Sequence, residues 1–262
     1  MAVILKKKLN ARKKALIALI SFASFIALIF IVFVVWAQFY YKASDDALAN
    51  LNSTETVSVN MVENKIIFQP VSAENLQDTG LIFYPGGKVD EKAYSYLGKY
   101  IAEEGFFVCI VRMPLRLAVL NPGAAEDVIN EYPEIKNWVI AGHSLGGSMA
   151  SNYAFNNQDI IKGLAFLASY PAGSDDLNSS IIEVVSIAGI KDGIINTENL
   201  ASTKSLLPPD TEFIEIEGGN HSQFGDYGLQ KGDNPADISK EEQHGLVIEN
   251  IIELLLVIEQ AK

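Results

Sequence analysis

Five short apolar runs recur along the chain: Leu81 to Tyr84, Phe106 to Val111, Trp138 to Gly142, Leu164 to Ala168 and Val184 to Gly189. A strand with one wet face alternates apolar and polar residues, whereas runs this short and this unbroken suit strands covered on both faces. Helix-like stretches lie between them. The expected fold is therefore α/β: a mostly parallel, doubly wound sheet flanked by helices. Strands are expected at 55–60, 64–69, 80–84, 106–112, 137–142, 162–168, 182–189 and 211–216. Helices are expected at 90–103, 123–131, 145–156, 196–206 and 238–259, the last with an apolar stripe through Leu246, Ile251, Leu255 and Ile258.

The chain has 262 residues, and 49% of them are hydrophobic, enough for one large domain with a sizeable core. A single cysteine, Cys109, excludes a disulfide framework and a cysteine-based zinc site. Charge is unevenly placed. All 32 acidic residues lie at or after Asp45, while six of the 20 basic residues fall within the first 14 positions and one more is Lys42. From residue 43 onward the balance is 13 − 32 = −19. Such a surface repels phosphate backbones, so nucleic acid is not an expected partner.

Residues 15–37 carry no charge, and only Ser21 and Ser24 interrupt the apolar run. As a helix the segment reaches about 34 Å, against a hydrocarbon core of about 30 Å. Cations precede it, and Trp36, Tyr40 and Tyr41 stand at its far end, where interfacial aromatics are favoured. The expected organisation is a cytoplasmic basic tail at 1–14, a transmembrane helix at 15–37, a stalk at 38–53 and a catalytic domain at 54–262. In this topology the chain crosses the cell membrane once, with its N-terminus cytoplasmic and its catalytic domain outside. A cleaved signal peptide is the competing reading, but its apolar region is usually only ~7–15 residues long.

The strand-like Asn137 to Ala141 runs into Gly142-His143-Ser144-Leu145-Gly146-Gly147, and a helix-compatible stretch follows at once. In a strand–turn–helix of this kind the serine hydroxyl stands exposed at the carboxyl end of the sheet. Gly142 and Gly146 let strand and helix approach closely, and the helix N-terminus aims free amides at the same point. A serine nucleophile needs a base. Of the three histidines, His143 adjoins the serine and reads as a residue that packs or supports the site from behind, and His244 falls within the terminal helix as a surface or packing residue. His221, in a glycine-rich loop after the last strand, remains. Asp192 follows the strand ending at Gly189 and can orient the imidazole, and Asp175, Asp176 and Asp226 are rival acids. An oxyanion hole needs two amides. Leu145 supplies one, and the Pro85-Gly86-Gly87-Lys88 turn the other, from Gly87 or Lys88, with Gly86 shaping the turn. Gly86-Gly87-Lys88 is no phosphate-binding loop, because Ile82 stands where its first glycine belongs.

The motifs Tyr84 to Lys88, Gly142 to Gly147, Gly189 to Gly193 and Gly218 to Gly228 resemble those of the α/β-hydrolase superfamily, in the same order. They are closest to a small, lidless, membrane-anchored subgroup that also looks like dienelactone hydrolases and carboxylesterases. The resemblance implies a Ser144, His221, Asp192 triad, hydrolysis of an ester or related acyl bond on a small-molecule substrate, and no metal or organic cofactor. Dienelactone hydrolases use a cysteine where this chain has Ser144, so their substrate is not carried over. Two other functions remain open at the level of sequence: acyl transfer to a cell-surface acceptor, and a catalytically silent binding module outside the membrane. Lys88, Arg112 and Arg116 are candidates for holding an anionic substrate, with solvated charges as the plainer reading.

Overall fold

The computed structural model describes residues 2–72 and 76–261, with side chains described from Lys13 onward. The cations Lys6, Lys7, Lys8 and Arg12 of the expected tail thus lie outside the described side chains. Two compact units divide at Phe39 and Tyr40.

The first unit is helix α1 (Ala2–Ala37), which runs back through the segment expected to be a separate tail. Its stretch Lys13–Ala37 is long and apolar enough to cross a membrane. Leu16, Ile20, Phe25 and Phe30 all point to the outside, where lipid suits them and water does not.

Among its described residues the second unit holds eight strands, β1 (Val57–Val62), β2 (Lys65–Pro70), β3 (Thr79–Tyr84), β4 (Phe107–Val111), β5 (Asn137–His143), β6 (Ile161–Leu167), β7 (Glu183–Gly189) and β8 (Glu212–Ile216). They form one sheet in the order β1-β2-β4-β3-β5-β6-β7-β8. Only β1 with β2 and β2 with β4 pair antiparallel; every other neighbouring pair is parallel. Each of the eight expected strands is present.

The helices are α2 (Asp45–Ala49), α3 (Ser95–Glu103), α4 (Ala124–Glu131), α5 (Leu145–Asn156), α6 (Thr197–Ser202) and α7 (Lys240–Gln260). Successive strand residues face opposite sides, and both sides are covered. Leu81, Phe83, Val139, Ala141 and Leu167 pack with Leu97 and Ile101 of α3 and Val247, Ile251 and Leu255 of α7. Ile82, Tyr84, Ile140, Leu164 and Phe166 pack with Val128 of α4 and Ala150, Tyr153 and Ala154 of α5. The unbroken apolar runs have their cause in these two cores.

Three elements depart from expectation. The segment 90–103 is split, because the Asp90 carboxylate caps a 3-10 turn at Glu91–Tyr94 before α3 begins. Likewise 196–206 shortens to α6 plus a 3-10 turn at Thr203–Leu206. The expected stalk is no free linker from Tyr40 onward. Ser44 caps α2, Ala47 is fully buried, and Tyr41, Ala43 and Leu51 pack on the core, so the compact unit starts at Tyr40 rather than at residue 54.

Candidate active site

Strands β3, β5, β7 and β8 run in one direction, so the turns after their last residues share one rim of the sheet. Ser144 follows β5 directly with φ 51° and ψ −123°, a left-handed conformation that costs a non-glycine residue about 1–3 kcal/mol. Several contacts hold it there. Its amide donates to the Leu167 carbonyl at 2.9 Å, and the Ser169 hydroxyl donates to the Ser144 carbonyl at 2.6 Å. The glycines are a matter of space: a Cβ on Gly142 would meet the Gly146 carbonyl carbon at 2.5 Å, and one on Gly146 would fall on the backbone oxygens of Tyr84 and Pro85. The serine turn is thereby pressed against the turn that follows β3.

Asp192 lies three residues beyond β7 and His221 five beyond β8. They meet: His221 Nδ1 is 2.7 Å from Asp192 Oδ2, and both side chains are buried. A carboxylate only accepts, so the proton sits on Nδ1 and the Nε2 lone pair is left bare. Nε2 is buried and has no hydrogen-bond partner among the described residues. Asp192 is itself fixed by its other oxygen, which accepts the amides of Ile194 at 2.7 Å and Ile195 at 2.8 Å. Asp233 joins the two loops, taking the Gly193 amide on one oxygen and the Ser222 amide and hydroxyl on the other. Sequence reading missed this brace, and nothing in Lys231-Gly232-Asp233-Asn234 signals it. The rival acids are engaged elsewhere: Asp175 with Asn152 and Ser174, Asp176 with the Asn178 amide, Asp226 with Lys240.

Ser144, Leu145 and His221 line one cleft of about 280 Å³ together with Ser148, Tyr170 and Asn196. Among the described residues no Lys, Arg, Asp or Glu lines it. Lys88, Arg112 and Arg116 stay outside, with Arg112 paired to Glu91 and the Arg116 guanidinium 3.4 Å over the Tyr40 ring. A larger groove of about 550 Å³ runs between α2, α3 and α7 beside Lys240 and His244, but none of Ser144, Asp192 or His221 reaches it. Ser144 and His221 line the smaller cleft, and Asp192 reaches it only through His221.

The turn after β3 corrects one expectation. The Lys88 amide donates to the Arg116 carbonyl at 2.8 Å and is not available to an oxyanion. The Gly86 amide donates to the Tyr94 hydroxyl at 3.0 Å. Gly87 is left between them, packed against Leu145, and its amide has no partner among the described residues. Leu145 begins α5, so its amide has no carbonyl one turn back. Among the described residues, the Leu145 and Gly87 amides have no hydrogen-bond partner.

His143 is buried and supports the turn after β3. Its Nδ1 lies 2.8 Å from the Tyr94 hydroxyl that takes the Gly86 amide, and its ring stands 4.5 Å from that of His221. Burial, and then the neighbouring His221, push its pKa well below the usual histidine value, so it stays neutral. Tyr94 carried no sequence signal. His244 stacks on Tyr96 at 3.5 Å, a packing role as expected. Cys109 is buried in β4, where desolvation pushes its thiol up to about 12, far from a reactive thiolate. Among the described residues no group of three or more His, Cys, Asp or Glu side chains is arranged to hold a metal ion.

The doubly wound sheet and the strained serine between strand and helix define a class, the α/β enzymes built for hydrolysis. Residues 80–245, more than half of the chain, match the alpha/beta hydrolase family, and the chain belongs to it. Among solved structures, a predicted CIB-like hydrolase from Thermoplasma acidophilum superposes with a TM-score of 0.53 at 16% identity, over 75% of this chain and 98% of its own. At that identity the likeness is one of fold. No curated protein sequence matches the chain.

Proposed function

We propose that the domain is a serine esterase that cleaves small, uncharged acyl esters, with Ser144 as nucleophile, His221 as base and Asp192 as the group that orients it. The observation that carries this reading is the His221–Asp192 hydrogen bond of 2.7 Å, which leaves Nε2 without a partner on a histidine that lines the same cleft as Ser144.

Ser144 Oγ attacks the ester carbonyl as Nε2 takes its proton, and Asp192 stabilises the imidazolium. The carbonyl oxygen becomes an oxyanion facing the amides of Leu145 and Gly87, where a lost donor typically costs ~10²–10³ in turnover. His221 then protonates the departing alcohol, water attacks the acyl-enzyme by the same route, and the acid leaves with Ser144 regenerated. This chemistry needs no cofactor. The uncharged lining and modest volume of the cleft favour a short, neutral acyl group over an anionic one. We further propose that α1 anchors the enzyme in the cell membrane with its N-terminus cytoplasmic and the esterase domain outside, by the excess of cations before the span.

Ser144→Ala tests the assignment. Turnover of p-nitrophenyl acetate should fall to background while the melting temperature holds. Undiminished turnover in that variant would remove the serine from the mechanism.

A further inference from the structure

The segment joining the apolar helix to the domain holds the turn that carries the Gly87 amide. Tyr41 forms a parallel bridge with Val89: its amide donates to the Lys88 carbonyl at 2.8 Å, and its carbonyl accepts the Asp90 amide at 2.8 Å. Tyr41 is itself pinned, its hydroxyl accepting the Lys231 amide at 3.0 Å and its ring lying 5.6 Å from that of Tyr227. On the other side of the turn the Lys88 amide is held by the Arg116 carbonyl, and the Arg116 guanidinium lies on the Tyr40 ring.

Gly87 is thus the residue between two clamps. One is Tyr94 on Gly86, inside the domain. The other is formed on Lys88 by Tyr41 directly and by Tyr40 through Arg116. Lys88 (φ 59°), Leu115 (φ 50°) and Arg116 (φ 58°) are all non-glycine residues in the left-handed region. Such conformations persist only where the surroundings over-determine them. The facing turns hold no more than a 3-10 turn at Pro114–Arg116, and the two tyrosines supply part of the constraint.

We infer that Tyr40 and Tyr41 are positioning residues that hold the Gly87 amide at the oxyanion site, so that the membrane-proximal segment is part of the esterase machinery rather than a tether. This rests on the serine esterase reading. An amide displaced by a fraction of an ångström still binds the neutral ester carbonyl, but it stabilises the oxyanion poorly, so the loss falls on kcat rather than KM.

The test uses the full chain in detergent micelles with p-nitrophenyl acetate, comparing wild type, Tyr40→Ala, Tyr40→Phe and Ser144→Ala. Tyr40→Ala removes the ring under Arg116, whereas Tyr40→Phe keeps it. The expected result is a roughly tenfold lower kcat for Tyr40→Ala, part of the ~10²–10³ carried by a whole donor, with KM within about twofold. Tyr40→Phe should restore wild-type kcat, and the melting temperatures of all variants should agree within a few degrees. Tyr41→Pro, which deletes the amide that holds the Lys88 carbonyl, should lower kcat at least as far as Tyr40→Ala. Wild-type kcat in Tyr40→Ala would overturn the inference, as would an equal loss in Tyr40→Phe or a loss matched by a rise in KM. These outcomes leave the esterase reading intact. An inactive wild type, or an active Ser144→Ala, would overturn that reading and the inference with it.

Discussion

Replacing Asp192 with Asn changes almost nothing in shape and reverses one hydrogen bond. The Asp192 oxygen that accepts the Ile194 and Ile195 amides has no room for a donor, so the amide oxygen of Asn must take that place. Its NH₂ group then faces His221 Nδ1 across the 2.7 Å contact. A donor there requires Nδ1 to accept, and the proton moves to Nε2. The imidazole now presents an N–H to Ser144 where a lone pair is needed. In serine proteases the same exchange lowers kcat by ~10⁴, which is ~5.4 kcal/mol of barrier, and the buried, doubly anchored geometry calls for a loss of that order. The buried pair also predicts that activity returns partly at high pH, where hydroxide substitutes for the base. The assay is steady-state hydrolysis of p-nitrophenyl acetate from pH 6 to 10, with circular dichroism to confirm an intact fold. A kcat within tenfold of wild type at neutral pH would refute the reasoning and leave Asp192 as a turn residue.

His244 offers a stability test free of the active site. Burial against Tyr96 pushes its pKa down to about 4, with Asp226 and Glu241 raising it slightly and Lys240 lowering it. The unfolded chain binds the proton first, near pH 6.5, so native stability is complete above that value and is lost as pH falls toward 4, by ~2 kcal/mol at pH 5. His244→Phe keeps the stacked ring, and the fall in melting temperature between pH 7 and pH 5 should become shallower; an unchanged slope would exonerate His244. For topology, a membrane-impermeant amine reagent on intact cells should modify Lys136, whose side chain is 68% exposed, and modification only after lysis would reverse the proposed orientation.

What could be read in the sequence depended on the range of the physics involved. Strands β3 to β7 were legible because both faces of the sheet are covered there, which writes burial directly into Leu81 to Tyr84 or Leu164 to Ala168. Ser144, Asp192 and His221 were legible as residues at strand ends in a given order, and the sheet brings those ends to one rim. The five-residue helix α2 was not, since its one cap and one buried alanine make no period. Nor was the fate of the Lys88 amide, whose acceptor lies 28 residues on at the Arg116 carbonyl, or the roles of Tyr94 and Asp233. Backbone partners across facing turns leave no mark on residue type. The segment 38–53 reads as polar linker for the same reason: Tyr41 acts through its backbone as much as through its ring.

The central claim is that Ser144 is an activated nucleophile, and a fluorophosphonate reports on this directly, because it reacts with a serine only where a base and an oxyanion site act together. Intact mass spectrometry of the treated protein, followed by peptide mapping, should find one phosphonyl adduct, on Ser144, that is lost in both Ser144→Ala and His221→Ala. An unmodified wild-type protein, or an adduct on any other residue, would contradict the account.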